Sequence, residues 1–72
     1  MASSNILVTF GERVRALRKR KGWTQAEMAD FLGIDRSYLA GIESGKRNLS
    51  LLNIKVISDG LGISLSKLFT RL

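Results

Sequence analysis

The chain has 72 residues and contains neither cysteine nor histidine. No disulfide can reinforce it, and nearly all zinc sites and the commonest general base are excluded. Twelve Lys and Arg against six Asp and Glu leave a net charge of +6, which favours a polyanionic partner, nucleic acid or an anionic membrane, without choosing between them. The length fits one small domain held by packing alone, with a partner subunit as the available reinforcement.

The N-terminus reads Met1-Ala-Ser-Ser-Asn-Ile-Leu-Val-Thr-Phe10 and lacks the basic and long apolar regions of a signal peptide. No apolar run approaches the ~20 residues that a membrane span needs. The expectation is a soluble, cytoplasmic protein with no membrane partner.

Gly22, Gly33, Gly45 and Gly62 divide the chain into blocks, each with helical apolar spacing. The first runs from Ile6 to Lys21, with Leu7, Phe10, Val14 and Leu17 on one face and Arg13, Arg15, Lys19 and Arg20 on the other. Residues 1–9 form an N-terminal extension that is part of this helix, and the domain proper spans 10–69. The second block opens on Thr24, where Thr-x-x-Glu27 is a capping box, and its stripe is Met28, Ala29 and Leu32. Asp35 is the expected cap of a third helix, over about 36–44, with Leu39 and Ile42 inward. Ser50 caps a fourth, with the stripe Leu51, Ile54, Ile57 and Leu61. Ser64 caps a short fifth containing Leu65, Leu68 and Phe69. No block alternates with period two, so the fold class is all-α with five helices.

The informative stretch is Thr24 to Glu43. Two short helices flank Gly33-Ile34-Asp35. Ala29 suits a close crossing, Gly33 supplies the positive φ of a sharp turn, and Ile34 can plug the corner. This is a helix-turn-helix pattern over about 24–44, whose second helix sits in the major groove of DNA.

Phe10-Gly-Glu-Arg-Val-Arg-Ala-Leu-Arg18, Gly22-Trp-Thr-Gln25, Ala29, Gly33-Ile34, Ile42-Glu-Ser-Gly-Lys46 and Leu61-Gly-Ile-Ser-Leu-Ser-Lys-Leu-Phe69 together resemble the lambda-repressor/Cro-type helix-turn-helix family. The likeness covers roughly residues 10 to 69. Asp35-Arg-Ser-Tyr-Leu-Ala-Gly-Ile-Glu43 followed by Arg47-Asn-Leu-Ser50 is similar, more narrowly, to the controller proteins of restriction-modification systems. Small repressors of other kinds share much of that stretch. The resemblance implies a five-helix bundle that binds a double-stranded DNA operator, usually as a dimer.

Candidate DNA-binding residues follow. Gln25, at the start of the second helix, can hold a phosphate together with backbone N–H groups; the plainer alternative is a solvated side chain. Arg36, first in the third helix, can reach guanine O6 and N7 bidentately, or else bind only phosphate. Ser37 and Gly41 share its groove-facing side, and Ser44 is a further DNA-binding candidate. Readers are few there, so DNA shape would carry part of the specificity. Tyr38 either reaches a phosphate or a thymine methyl or packs half-buried. The resemblance lays Lys46, Arg47 and Asn48 along the sugar-phosphate backbone, against the alternative of an ordinary polar loop. It also pairs Arg18 with Glu43, a structural ion pair rather than a DNA contact. The run Arg18-Lys-Arg-Lys21 reads better as cations at a helix C-terminus than as a localisation signal, and Trp23 as packing at a helix junction.

No catalytic residue, metal, cofactor or small-molecule ligand is expected, and an enzyme is disfavoured by the missing His and Cys. An RNA-binding or architectural protein would fit the charge but calls for exposed aromatic clusters, which are not anticipated. An antitoxin or a phage-type repressor of the same fold is the remaining alternative; a chain ending three residues past the domain leaves little tail to wrap a toxin. Leu52, Val56, Leu65, Leu68 and Leu72 are surplus to the inward stripes and form the expected homodimer interface, on the fifth helix and the adjoining face of the fourth.

Overall fold

In the computed structural model, residues 2–70 and 72 are described, with side chains from residue 6 onward. Five helices follow in order: α1 (Ala2–Arg20), α2 (Gln25–Leu32), α3 (Arg36–Glu43), α4 (Leu51–Leu61) and α5 (Leu65–Leu68). No strand occurs among the described residues. α1 begins four residues before the Ile6 expected from apolar spacing. It absorbs all of the 1–9 extension except Met1, which lies outside the described residues.

The boundaries come from local chemistry. The Thr24 hydroxyl accepts from the Glu27 N–H at 3.0 Å, and the Glu27 carboxylate accepts from the Thr24 N–H at 2.8 Å, a reciprocal cap on α2. Ser50 and Ser64 accept from the N–H of Asn53 and Lys67, each at 3.1 Å, at the starts of α4 and α5. Asp35 departs from expectation. Its backbone is extended as an N-cap requires, but its side chain makes no capping hydrogen bond, so the start of α3 is left with unused N–H donors. Gly33 ends α2 at φ 74°, the left-handed conformation that reverses the chain into α3.

The core is Phe10, Val14 and Leu17 of α1, Met28 and Ala29 of α2, Leu39 and Ile42 of α3, Ile57 and Leu61 of α4 and Leu68 of α5. α3 packs on both α1 and α2, α2 touches α4, and α4 touches α5. α3 is thus braced from behind, with its opposite side open.

Three expectations from spacing need correction. Leu51, expected on the inward stripe with Ile54, Ile57 and Leu61, is 77% exposed: it is the first residue of α4, and six residues from Ile57 it points well away from that side chain. Leu68 is fully buried and cannot contribute to an interface between subunits; a four-residue helix offers one inward position, and Leu68 fills it. Arg13 is not on a solvated face. Its guanidinium donates to the carbonyls of Lys67 (2.8 Å) and Leu68 (3.3 Å), satisfying the end of α5 from α1. Phe10 and Phe69 stack beside it with centroids 5.3 Å apart.

Candidate DNA-binding surface

The turn between α2 and α3 places α3 across the front of the molecule. Arg36 and Ser37 stand exposed in its first turn, Tyr38 is half-buried, and Ser44, at the C-cap, is exposed with its hydroxyl on the Gly41 carbonyl at 3.1 Å. The following loop carries Lys46, Arg47 and Asn48, all exposed. Gly45 starts that loop at φ 77°, and a Cβ there would sit 2.8 Å from Val8 Cα of α1. Only glycine satisfies both the backbone conformation and the space.

Behind α3 lies an ion pair. Arg18 Nε donates to Glu43 Oε2 at 2.7 Å and Nη2 to Oε1 at 3.0 Å, while Nη1 donates to the Trp23 carbonyl at 2.7 Å. Both residues are 7% exposed. The bidentate fork is the strong form of the contact. It ties the end of α3 to α1 and to the turn before α2.

Gln25 joins this network. Its amide Nε2 donates to Glu43 Oε1 at 3.1 Å, so one of its two N–H groups is committed inside the protein. The second, and the backbone N–H groups of Gln25 and Ala26 ahead of the capped Glu27, remain available to an anion. Gln25 also borders a cleft of about 370 Å³, shared with Arg15, Arg18, Ala40, Glu43 and Ser44. Arg15, exposed at its edge, was not singled out from the sequence. Its signal was only its place one turn before Arg18 on α1.

Gly41 does not lie bare toward a ligand. A Cβ there would meet Arg47 Cγ at 2.7 Å, because the Arg47 stem folds across α3 at that point. Its guanidinium carbon reaches 5.4 Å from the Tyr38 ring centroid. Asn53 Nδ2 of α4 donates to the Tyr38 hydroxyl at 2.8 Å. Sequence reasoning missed Asn53, whose only signal was a polar residue breaking the apolar run Leu51-Leu52-Asn53-Ile54.

Trp23 packs half-buried at the junction, as expected, but with an unanticipated partner. Phe31 is 65% exposed, and its ring lies 5.1 Å from that of Trp23, with Lys21 Nζ 5.4 Å from the indole centroid. A partly exposed aromatic pair therefore exists, on the side of α2 that faces α4 at Gly60. Among the described residues, no group of His, Cys, Asp and Glu could hold a metal ion, and no helix is long and apolar enough to cross a membrane.

The helix-turn-helix family profile matches residues 14–68. The chain belongs to the helix-turn-helix family. Among its relatives is the control protein C.MunI from a Mycoplasma species, 46% identical over 68 residues that cover 93% of this chain and 92% of the relative. The crystal structure of the restriction-modification controller protein C.AhdI from Aeromonas hydrophila superposes with a TM-score of 0.86 at 46% identity, covering 90% of this chain and 98% of that one. C.Esp1396I, another such controller, was solved as a tetramer in complex with its natural 35 base-pair operator. It superposes with a TM-score of 0.80 at 33% identity, over 88% of this chain and 83% of that one. The lambda-repressor-like, all-α reading of the sequence and its narrower likeness to the controllers agree with these matches.

Proposed function

We propose that this protein is a sequence-specific regulator of transcription that binds a double-stranded operator as a symmetric homodimer, in the manner of a restriction-modification controller, and works in the cytoplasm. The observation that carries the reading is α3: exposed through Arg36 and Ser37 and locked from behind by the Arg18–Glu43 fork. It sits in a chain that superposes on a controller solved on its operator.

The geometry supports the following division of labour. Arg36, Ser37 and Tyr38 face the base edges. Gln25, with the N–H groups opening α2, and Arg15 at the edge of the same cleft receive one phosphate. Lys46, Arg47, Asn48 and Ser44 follow the backbone beyond α3. Phosphate contacts set register and base contacts set sequence. The output of this arrangement is occupancy of DNA.

The test is a titration of the protein with the duplex upstream of its own gene, a random duplex and an RNA of equal length, at fixed salt. Operator binding tighter than random duplex by at least about 10³ is expected, with RNA no better than random. Equal binding to all three overturns the reading. In a salt series, each neutralised phosphate adds about 0.9 to the slope of log K against log salt, so Lys46→Ala should lower the slope by about one. A restriction endonuclease gene beside this one would place it among the controllers.

A further inference from the structure

Tyr38, Arg47 and Asn53 come from three different segments and meet at one ring. Tyr38 and Gly41 are three apart on α3 and so share a face. Because Gly41 has no side chain, the Arg47 stem can lie across that face and bring its guanidinium over the Tyr38 ring, 5.4 Å from the centroid. From the other side, the Asn53 amide donates to the Tyr38 hydroxyl at 2.8 Å. Asn53 is itself fixed, since its backbone N–H is held by the Ser50 hydroxyl that caps α4.

The direction of the Asn53 bond matters. A phenol has one proton to give and lone pairs to receive. Asn53 supplies the proton of their shared bond, so the Tyr38 proton is not spent on it. No acceptor takes that proton among the described residues. We propose that Asn53 is a positioning residue for DNA recognition: by donating to the Tyr38 hydroxyl from α4 it leaves that hydroxyl as a donor toward an acceptor on the DNA. Resting on the operator-binding role proposed above, this names Tyr38 as a hydrogen-bond donor rather than an apolar contact. The acceptors in reach of a major-groove helix are phosphate oxygens, guanine O6 and N7, and thymine O4. The arrangement is preorganised, since Asn53 sits on a helix capped by Ser50.

Asn53 also bridges the helix that reads DNA to the helix that carries the proposed dimer face. A purely structural brace would show as lost stability and uniformly weaker binding. A positioning residue acts through the hydroxyl and has no effect without it.

The experiment is a double-mutant cycle on the full chain, read by fluorescence anisotropy with operator and random duplexes and accompanied by thermal melts. Tyr38→Phe and Asn53→Ala should each weaken operator binding by about two- to tenfold, with random-duplex binding changed less. The double variant should be no weaker than Tyr38→Phe alone. Asn53→Asp replaces the donor by an acceptor and captures the Tyr38 proton. It should therefore weaken operator binding at least as much as Asn53→Ala when Tyr38 is present. On the Tyr38→Phe background only the general repulsion of a carboxylate from DNA remains, so its effect there should be smaller. Additive losses in the double variant overturn the proposal. So does a Tyr38→Phe protein with undiminished operator affinity, or an Asn53→Ala protein that loses operator and random DNA alike. A wild-type protein that does not discriminate operator from random duplex overturns the function itself, a result distinct from any failure at Asn53.

Discussion

Arg36 occupies the first position of α3, exposed and without a partner among the described residues, while Asp35 beside it leaves the helix start uncapped by any side chain. An unconstrained guanidinium there is available for a base edge. Arg36→Ala should cost operator binding about 1–3 kcal/mol while random DNA is much less affected; equal losses on both would reassign it to phosphate. Glu43 is a different kind of residue, because its charge is spent inside. Glu43→Gln removes the anion that answers a 7% exposed arginine, and a buried pair broken from one side costs about 3–5 kcal/mol. In a domain this small that is much of the total stability. A urea melt should show an early midpoint or no folded baseline, with Arg36→Ala unchanged in the same assay. The pairing itself was legible as a family pattern. Its third and fourth members, Gln25 and the Trp23 carbonyl, were not, because a side chain eighteen residues from Glu43 gives no local signal of reaching it.

At the scale of the helices, caps and stops were readable because they are local. Thr24 with Glu27, Ser50, Ser64 and the glycine turns each act within four residues. What was not readable was how far the helices cover one another. Leu51 keeps step with Ile54 but points away from Ile57, and Leu68 looked surplus on α5 when it is the one residue that α5 buries. Gly11 makes the same point. In sequence it is a weak spot in a long helix; in the fold it lies where α1 crosses α3. A Cβ there would meet the backbone carbonyls of Ile42 and Glu43, the latter at 2.6 Å. Alanine would gain about 1 kcal/mol of helix propensity. The obstacle, however, is backbone, which cannot rotate away, so overpacking of about 1–3 kcal/mol or more prevails. Gly11→Ala should lower the melting temperature and, by pushing the end of α3 outward, weaken operator binding beyond the loss of stability. A variant as stable as wild type would show that α1 and α3 are not in such close contact.

The whole molecule measures 32 × 24 × 21 Å, and the helix proposed to read DNA, α3, is short and exposes few side chains. One such helix discriminates a genomic site poorly, whereas two on a two-fold axis read half-sites about 34 Å apart. Two bodies of these dimensions side by side suit that spacing. The face proposed for the contact lies on α4, α5 and the residues after α5, where Leu52 is 72% exposed and Leu65, Phe69 and Leu72 are exposed as well, with Val56 half-buried. Several aliphatics on two adjoining elements are more than the scattered single exposures common on monomers. Asn53, next to Leu52, contacts the reading helix through Tyr38, so pairing through α4 would fix the separation of the two α3 helices. Leu52→Glu combined with Leu65→Glu should therefore give a folded or marginally stable monomer in sedimentation, because Leu52 is 72% and Leu65 36% exposed and neither belongs to the buried core. Leu68→Glu, by contrast, should unfold the chain. The folded monomer should bind a half-site as wild type does on that same half-site, and lose the gain that the full operator gives the dimer. A wild-type protein that sediments as a monomer at tens of micromolar (roughly, well above a specific operator affinity) and binds a half-site as tightly as the full operator would remove the dimer from the mechanism.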